Sequence, residues 1–110
     1  MKGSQLIRKG SSAYERKIAG KQYKFLVKTE QLAGILVETE PGAYSEFYEH
    51  EGEEIKIVIK GEIEYTVGKK VYNLREGDVL WHKSTIPHRV KNTSDKKAIF
   101  FTVDSPPTFI

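Results

Sequence analysis

The stretch PGAYSEFYEHEGEE, residues 41–54, together with the strand pattern that follows it, decides how the rest of the chain is interpreted. Glu46, Tyr48 and His50 are two residues apart, so in an extended segment their side chains lie on one face. Glu54 comes where the next regular strand pattern begins. The stretch therefore predicts polar side chains that share one face.

Period-two alternation is the main pattern along the chain, and helical periodicity is hard to find. Gly, Pro, Asn and Asp separate the alternating runs, and a hairpin turn is predicted at residues 68–70. The predicted strands are residues 23–27, 34–38, 45–50, 54–60, 62–67, 71–74, 79–81, 88–90 and 97–103. Short strands at this spacing are typical of an all-β sandwich or barrel.

A chain of 110 residues has room for one domain. We expect an N-terminal lead-in at residues 1–20 with at most one strand, a barrel at residues 21–105 and a tail at residues 106–110. The absence of cysteine excludes disulfides and thiolate sites, so only carboxylates and three histidines are available as strong metal ligands.

The composition also limits partners and location. No apolar run approaches the ~20 residues that cross a bilayer, and the N-terminus lacks a signal sequence, so we expect a cytoplasmic protein without membrane contact. The net charge of +3 is spread among acidic residues, and no recognition helix is predicted. Direct nucleic-acid binding is therefore not expected.

The first of two stretches that resemble the paired motifs of the cupin superfamily is residues 41–61. Gly42, His50, Glu54 and Gly61 stand at motif positions. Tyr48 occupies the place of the family's first histidine, which is a departure from the pattern.

The second stretch is GDVLWHKSTIPHRVKN, residues 77–92, in which Gly77, His88 and Asn92 match the second cupin motif. Residues 83–85 replace the family's inner Pro-x-Gly. The amino-acid sequence of both stretches is similar to that of the C-terminal sensor domain of cupin-containing helix-turn-helix transcription regulators. The resemblance implies a single-domain cupin β-barrel or jelly-roll sandwich. Because residues 1–20 are too few for the helical domain, it also implies a stand-alone relative of the sensor or a fragment of a longer protein.

The resemblance implies a metal site of His50, Glu54 and His88, a two-histidine, one-carboxylate set suited to Fe, Mn, Ni or Zn as divalent ions. Tyr48 is a poorer ligand than the histidine it replaces, and Lys56 shares a strand face with Glu54, where its charge would repel a metal. The alternative is a hydrogen-bonded polar network without metal. No organic cofactor is indicated.

Two classes of function remain open from the sequence. The first is a module, with or without a metal, that binds a small polar or anionic metabolite. Its contacts would be Tyr48, Lys56 and the histidines, with Glu46 as a further candidate ligand-binding residue. The second is a metal-dependent enzyme, such as a dioxygenase, isomerase or lyase.

Ordinary burial tendencies predict the places of two further side chains outside the motif positions. His82 is expected at the surface or rim, and Trp81 in the core.

A homodimer is expected from the same strand alternation. If Glu54 faces the cavity, then Ile55, Ile57 and Ile59 form an apolar row on the opposite face, which soluble monomers rarely leave uncovered. Either residues 14–25 of the same chain or a second subunit would cover this row.

Overall fold

The computed structural model describes residues 3–107, and every regular element in that range is a β-strand. We number the strands in chain order. They are β1 (Tyr14–Ile18), β2 (Lys21–Lys28), β3 (Ala33–Thr39), β4 (Glu53–Lys60), β5 (Glu62–Val67), β6 (Lys70–Arg75), β7 (Val79–Lys83), β8 (His88–Lys91) and β9 (Ala98–Ser105). The predicted all-β class is confirmed.

Two antiparallel sheets form the domain. The larger sheet has six strands in the order β1-β2-β3-β9-β4-β7, and the smaller has three in the order β6-β5-β8. Apolar residues that alternate with polar ones along these strands meet between the sheets, as the period of two requires. The buried apolar core consists of Phe25, Ala33, Ile35, Val37, Val58, Ile63, Tyr65, Leu74, Leu80, Val90, Ala98 and Phe100.

Two strands that bear on function show the alternation most clearly. On β4, Glu54, Lys56 and Val58 are buried, while Ile55 and Ile59 are 47% and 51% exposed. On β9, the even-numbered residues from Ala98 to Asp104 are buried. Polar side chains therefore line the inner face at one end of these strands, and apolar ones line it at the other.

The predicted strand at residues 45–50 is wrong. This segment is irregular and pairs with the smaller sheet only through isolated bridges, Tyr44 with Lys91 and Tyr48 with His88. Because the pairing is interrupted, the simple alternation of faces does not hold across the segment. Glu46 is exposed as a result, whereas His50 reaches the interior.

No helix in residues 3–107 is long and apolar enough to cross a membrane.

Candidate metal and ligand site

A cavity of about 360 Å³ lies between the two sheets, at the polar end of the inner face. Its floor is apolar, and its polar side chains come from strands of the larger sheet, from β5 and from the irregular segment before β4. The lining residues are Tyr23, Ile35, Val37, Tyr48, Glu49, His50, Glu54, Lys56, Tyr65, Val90, Phe100, Thr102 and Asp104.

Glu54 is the centre of the polar cluster, and its carboxylate is 3% exposed. Its Oε2 lies 2.8 Å from His50 Nε2 and 3.0 Å from His88 Nε2, and accepts a hydrogen bond of 2.9 Å from Ser84 Oγ. One ligand atom from each of His50, Glu54 and His88 lies within 4.8 Å of the others. The convergence expected of these three residues is present.

Gly52 allows His50 and Glu54 to meet. Its φ of +101° is a backbone conformation that side chains rarely adopt, and a Cβ there would collide with the Ser105 carbonyl. The backbone on both sides of this turn is tied to Ser84, which accepts from the His50 amide and donates its own amide to the Gly52 carbonyl. The turn before β4 is thus held against β7 and β9 at once.

Lys56 is buried in the same cluster, as its position on β4 predicts. Its Nζ donates to Glu54 Oε1 at 2.6 Å and to Tyr65 Oη at 2.8 Å, and lies 3.5 Å from His82 Nε2. An ammonium has three protons, and each of them has an acceptor here. Lys56 therefore holds the carboxylate oxygen that does not face His50 and His88.

The histidine rings share one arrangement. In each of them Nδ1 lies at hydrogen-bond distance from a backbone carbonyl, which assigns the proton of the neutral ring to Nδ1 and leaves a lone pair on Nε2. The distances are 3.0 Å from His50 to Glu51, 2.9 Å from His82 to Lys83 and 2.7 Å from His88 to Ile86. A backbone carbonyl that fixes the ring in this way is a common partner of metal-binding histidines.

Burial and charge shift the pKa values of the cluster in opposite directions. Burial raises the pKa of Glu54, and the Lys56 ammonium lowers it through its charge and its hydrogen bond, so that the net pKa lies below its ordinary value. Burial lowers the pKa of Lys56, and it lowers the pKa of His82 to about 4. Glu54 is therefore ionised and His82 neutral at pH 7.

The residues fit a divalent metal ion. Within residues 3–107, His88 Nε2 is buried and has no hydrogen-bond partner, although Glu54 Oε2 lies only 3.0 Å away. In the neutral ring this would place a nitrogen lone pair against a carboxylate oxygen, which is repulsive unless a cation lies between them. Two ligand atoms ~2.1 Å from a metal lie about 3.0 Å apart at a right angle and about 3.4 Å apart at a tetrahedral angle. The separations of 2.8 and 3.0 Å are closer to the first value, and they also lie in the range of hydrogen bonds.

The other sequence-predicted ligand-binding residues divide into two groups. Tyr48 lines the cavity, with its ring centroid 4.4 Å from that of His88, and Lys56 also lines it. Glu46 does not line this cavity. It lies at a neighbouring surface depression, together with Lys21 and Tyr44.

The sequence-based placements of His82 and Trp81 are wrong. His82 is 3% exposed and lies inside the cluster, whereas Trp81 is 53% exposed and donates a hydrogen bond of 2.7 Å to Glu53 on the surface. The alternation of β7 could have predicted both placements. It puts Leu80, His82 and the following Ser84 on the inner face and Trp81 on the outer face. The alternation of the strand, and not the burial tendency of each residue type, decides which of these side chains is buried.

Asp104 is a buried cavity residue that the sequence analysis did not identify. It lies directly opposite Glu54 in the pairing of β4 with β9, and its Oδ1 accepts a 3.3 Å hydrogen bond from Thr102. Burial, with the nearby charge of Glu54, raises the pKa of Asp104 to about 6. The alternation of β9 could have identified this residue, because it places Asp104 on the same buried face as Phe100 and Thr102.

The family profile described as "Cupin domain" matches residues 35–104 of the chain. This chain belongs to the cupin family. The match covers β3 to β9, the part of the cupin fold that carries the candidate metal residues. The all-β architecture and the two motif stretches agree with the resemblance found in the sequence.

Relatives of known name include transcription regulators. The chain is 35% identical over 79 residues to the HTH-type transcriptional regulator PuuR of Escherichia coli, a match that covers 71% of this chain and 43% of PuuR. The chain spans less than half the length of the curated relatives it matches.

Solved structures share the fold. KdgF from Halomonas sp. superimposes with a TM-score of 0.84 at 19% identity, over 94% of each chain. A cupin domain of an XRE-family transcriptional regulator from Enterobacter cloacae gives a TM-score of 0.74 at 24% identity, over 81% of this chain and 99% of that one.

Proposed function

We propose that this cupin domain binds a small polar or anionic metabolite at a divalent transition metal ion held by His50, Glu54 and His88. The observation that carries the proposal is the orientation of the histidines. Two rings fixed by backbone carbonyls present Nε2 to one carboxylate oxygen at 2.8 and 3.0 Å. The metal would be Fe, Mn, Ni or Zn, since imidazole and carboxylate ligands suit all four.

The bound metal would supply a Lewis-acidic position for an oxygen of the ligand. The chain itself would provide the rest of the site. Lys56 and Ser84 orient the Glu54 carboxylate through hydrogen bonds of 2.6 and 2.9 Å. Tyr48 borders the cavity, and the apolar floor would contact the carbon atoms of the ligand.

The metal-free network predicted as the alternative would require a different protonation state. Without a metal, His50 and His88 would each need a proton on Nε2 as well as on Nδ1 to contact Glu54 favourably. Two imidazolium rings would bring the same positive charge as one divalent metal ion with two neutral rings. The total charge of the cluster therefore does not separate the two states, and metal analysis decides between them.

A role as the ligand-binding part of a regulatory system is supported by the similarity to PuuR. The alternative function, a metal-dependent enzyme, is favoured by one observation. Asp104 lines the cavity beside Glu54, and its pKa of about 6 would let it exchange a proton near neutral pH. Proton NMR of small hydroxy and oxo acids incubated with metal-loaded protein distinguishes the two, because a binding module leaves them unchanged.

Metal analysis of protein purified without an affinity tag tests the proposal. We expect close to one transition metal ion per chain, and an affinity for Zn(II) that falls by roughly a hundredfold or more in His88→Gln, since even the loss of outer partners of ligands costs ~10–100-fold. Asp95→Asn, which removes an exposed carboxylate far from the cluster, is the control. Weak Zn(II) binding that His88→Gln does not change would contradict the site.

A homodimer through the outer face of the larger sheet is part of the proposal. The outward row of β4 is flanked by Val79 and Trp81 on β7 and by Phe101 and Val103 on β9. The strand order places β1 and β2 at the far edge of the sheet, so residues 14–25 do not cover this row. A second copy of the chain is the other candidate to cover the row. The cytoplasmic location stays a prediction.

A further inference from the structure

The cavity contains a carboxyl group that the proposed metal site does not use. Asp104 is 4% exposed and lines the cavity. It lies outside the group of side chains whose ligand atoms converge within 4.8 Å, so it is not placed as a further metal ligand. In the described part of the chain its side chain has one hydrogen bond, from the Thr102 hydroxyl at 3.3 Å.

A buried carboxylate can accept about four hydrogen bonds, and leaving acceptor positions empty away from water is unfavourable. Glu54, the neighbouring carboxylate, differs because Lys56 and Ser84 bind its oxygens. Asp104 lines the cavity, so the oxygen positions that Thr102 does not fill can be met there by water or by a ligand. A ligand that displaces this water retains the interaction only if it presents a hydrogen-bond donor at the same place.

The position of Asp104 relative to the metal residues defines where this donor must be. Glu54 and Asp104 are directly opposite each other on neighbouring antiparallel strands, which places their Cβ atoms ~4.5–5.5 Å apart. A hydrogen-bond donor of the bound small molecule that reaches Asp104 would therefore lie close to the atom of the same molecule that binds beside Glu54. A hydroxyl on the carbon next to a carboxylate satisfies this spacing.

The charge of the cavity favours an anion. With both carboxylates ionised, Glu54 and Asp104 offset Lys56 and one of the two charges of a divalent metal, which leaves one positive charge uncompensated. A ligand with a single carboxylate and a neutral hydroxyl balances it, whereas an added ammonium group does not. The apolar side chains of Ile35, Val37 and Phe100 on the floor suit a short hydrocarbon substituent.

We infer that the ligand is a small 2-hydroxy acid and that Asp104 determines this specificity by accepting the hydrogen bond of its hydroxyl group. The inference rests on the proposed metal site at His50, Glu54 and His88. It adds a residue outside the cupin motifs and a ligand class to that proposal.

Matched ligands test this inference at pH 8, where both carboxyl groups are ionised. Lactate and propionate differ only in the hydroxyl, and their affinities for Zn(II)-loaded protein are obtained from amide chemical-shift titrations. A hydrogen bond to a charged group corresponds to ~10-fold or more in affinity. We therefore expect Asp104→Leu to weaken lactate binding at least tenfold and to change propionate binding less than twofold, with Asp104→Asn intermediate.

The Zn(II) affinity of each variant is measured first, with Asp95→Asn as the control for loss of a carboxylate. Absence of Zn(II) binding by the wild-type protein would overturn the metal site and the inference with it. Normal Zn(II) binding with equal lactate affinities in wild type and Asp104→Leu would overturn the role of Asp104 alone. Normal Zn(II) binding without lactate binding at 50 mM, about the weakest affinity such a titration resolves, would overturn the ligand class.

Discussion

At the scale of single residues, two buried groups give opposite dependences of stability on pH. The pKa of His82 falls from 6.5 to about 4 on folding, so the unfolded chain binds more protons between these values and stability rises with pH. The pKa of Asp104 rises from 3.8 to about 6, so the folded chain binds more protons there and stability falls with pH. In the wild-type protein the two effects largely cancel.

Replacing either residue should reveal the other. Between pH 4 and pH 6.5, the free energy of unfolding of Asp104→Asn should rise by ~3 kcal/mol more than that of wild type, at ~1.4 kcal/mol per pKa unit. Over the same range, the free energy of unfolding of His82→Gln should fall by ~3 kcal/mol relative to wild type. Urea unfolding in EDTA at several pH values measures both. Parallel pH profiles for all three proteins would show that these groups are not shifted as described.

Lys56 is expected to oppose metal binding while it stabilises the metal-free protein. Lys56→Met leaves Glu54 buried without its cationic partner, so the free energy of unfolding in EDTA should fall by ~3–5 kcal/mol. Zn(II) would supply the missing positive charge and should stabilise Lys56→Met more than it stabilises wild type.

The control for Lys56→Met is Lys24→Met, which removes a partly exposed ion pair of 2.8 Å with Glu38 and should change stability by ~0–1 kcal/mol. An equal increment of stability from Zn(II) in wild type and Lys56→Met would contradict the placement of Lys56 beside the metal.

How far the sequence predicts individual residues depends on whether a strand pattern covers them. Glu54 and Lys56 lie on a regular strand, and their common inward face is confirmed. His82 also lies on a regular strand, and the alternation of that strand places it inward, against the burial tendency of histidine. Glu46 lies on an irregular segment, where no periodicity of the sequence could reveal its exposure.

At the scale of elements, the turn before β4 is expected to be the most sensitive to substitution. Gly52→Ala combines a positive φ with a collision against Ser105, so we expect a loss of more than ~1–3 kcal/mol in the free energy of unfolding and weaker Zn(II) binding. Gly77→Ala has a φ of +87° but no atom within 4 Å of the added Cβ. It should show the backbone strain alone and keep its Zn(II) affinity.

Equal effects of Gly52→Ala and Gly77→Ala on stability and on Zn(II) affinity would show that the contact of Gly52 with Ser105 does not position the metal residues. The sequence places Gly77 at a motif position, but it could not reveal the close approach of Gly52 to Ser105. That contact joins residues 52 and 105, which are distant in the chain.

At the scale of the whole molecule, the outer face of the larger sheet predicts self-association. Burying each isoleucine of the β4 row contributes ~1.5–3 kcal/mol, which makes the row able to drive an interface. We expect a dimer by light scattering at micromolar concentration and a folded monomer for Ile57→Lys. Val71→Lys, at an exposed apolar position on the smaller sheet, is the control and should remain dimeric.

A wild-type monomer across this concentration range would contradict the proposed dimer. The sequence predicts the outward row itself, because the alternation of β4 is regular, and the exposure of Ile55 and Ile59 confirms it. It does not predict the flanking residues of β7 and β9, because the strand order that brings them beside β4 is set by tertiary packing.

Anomalous diffraction at the zinc edge, from crystals of the untagged protein grown with Zn(II), tests the metal site most directly. We expect one strong peak per chain, ~2.0–2.2 Å from His50 Nε2, His88 Nε2 and Glu54 Oε2, with Lys56 still bound to the other oxygen of Glu54. A cavity without an anomalous peak, in which His50 and His88 contact Glu54 directly, would contradict the metal site.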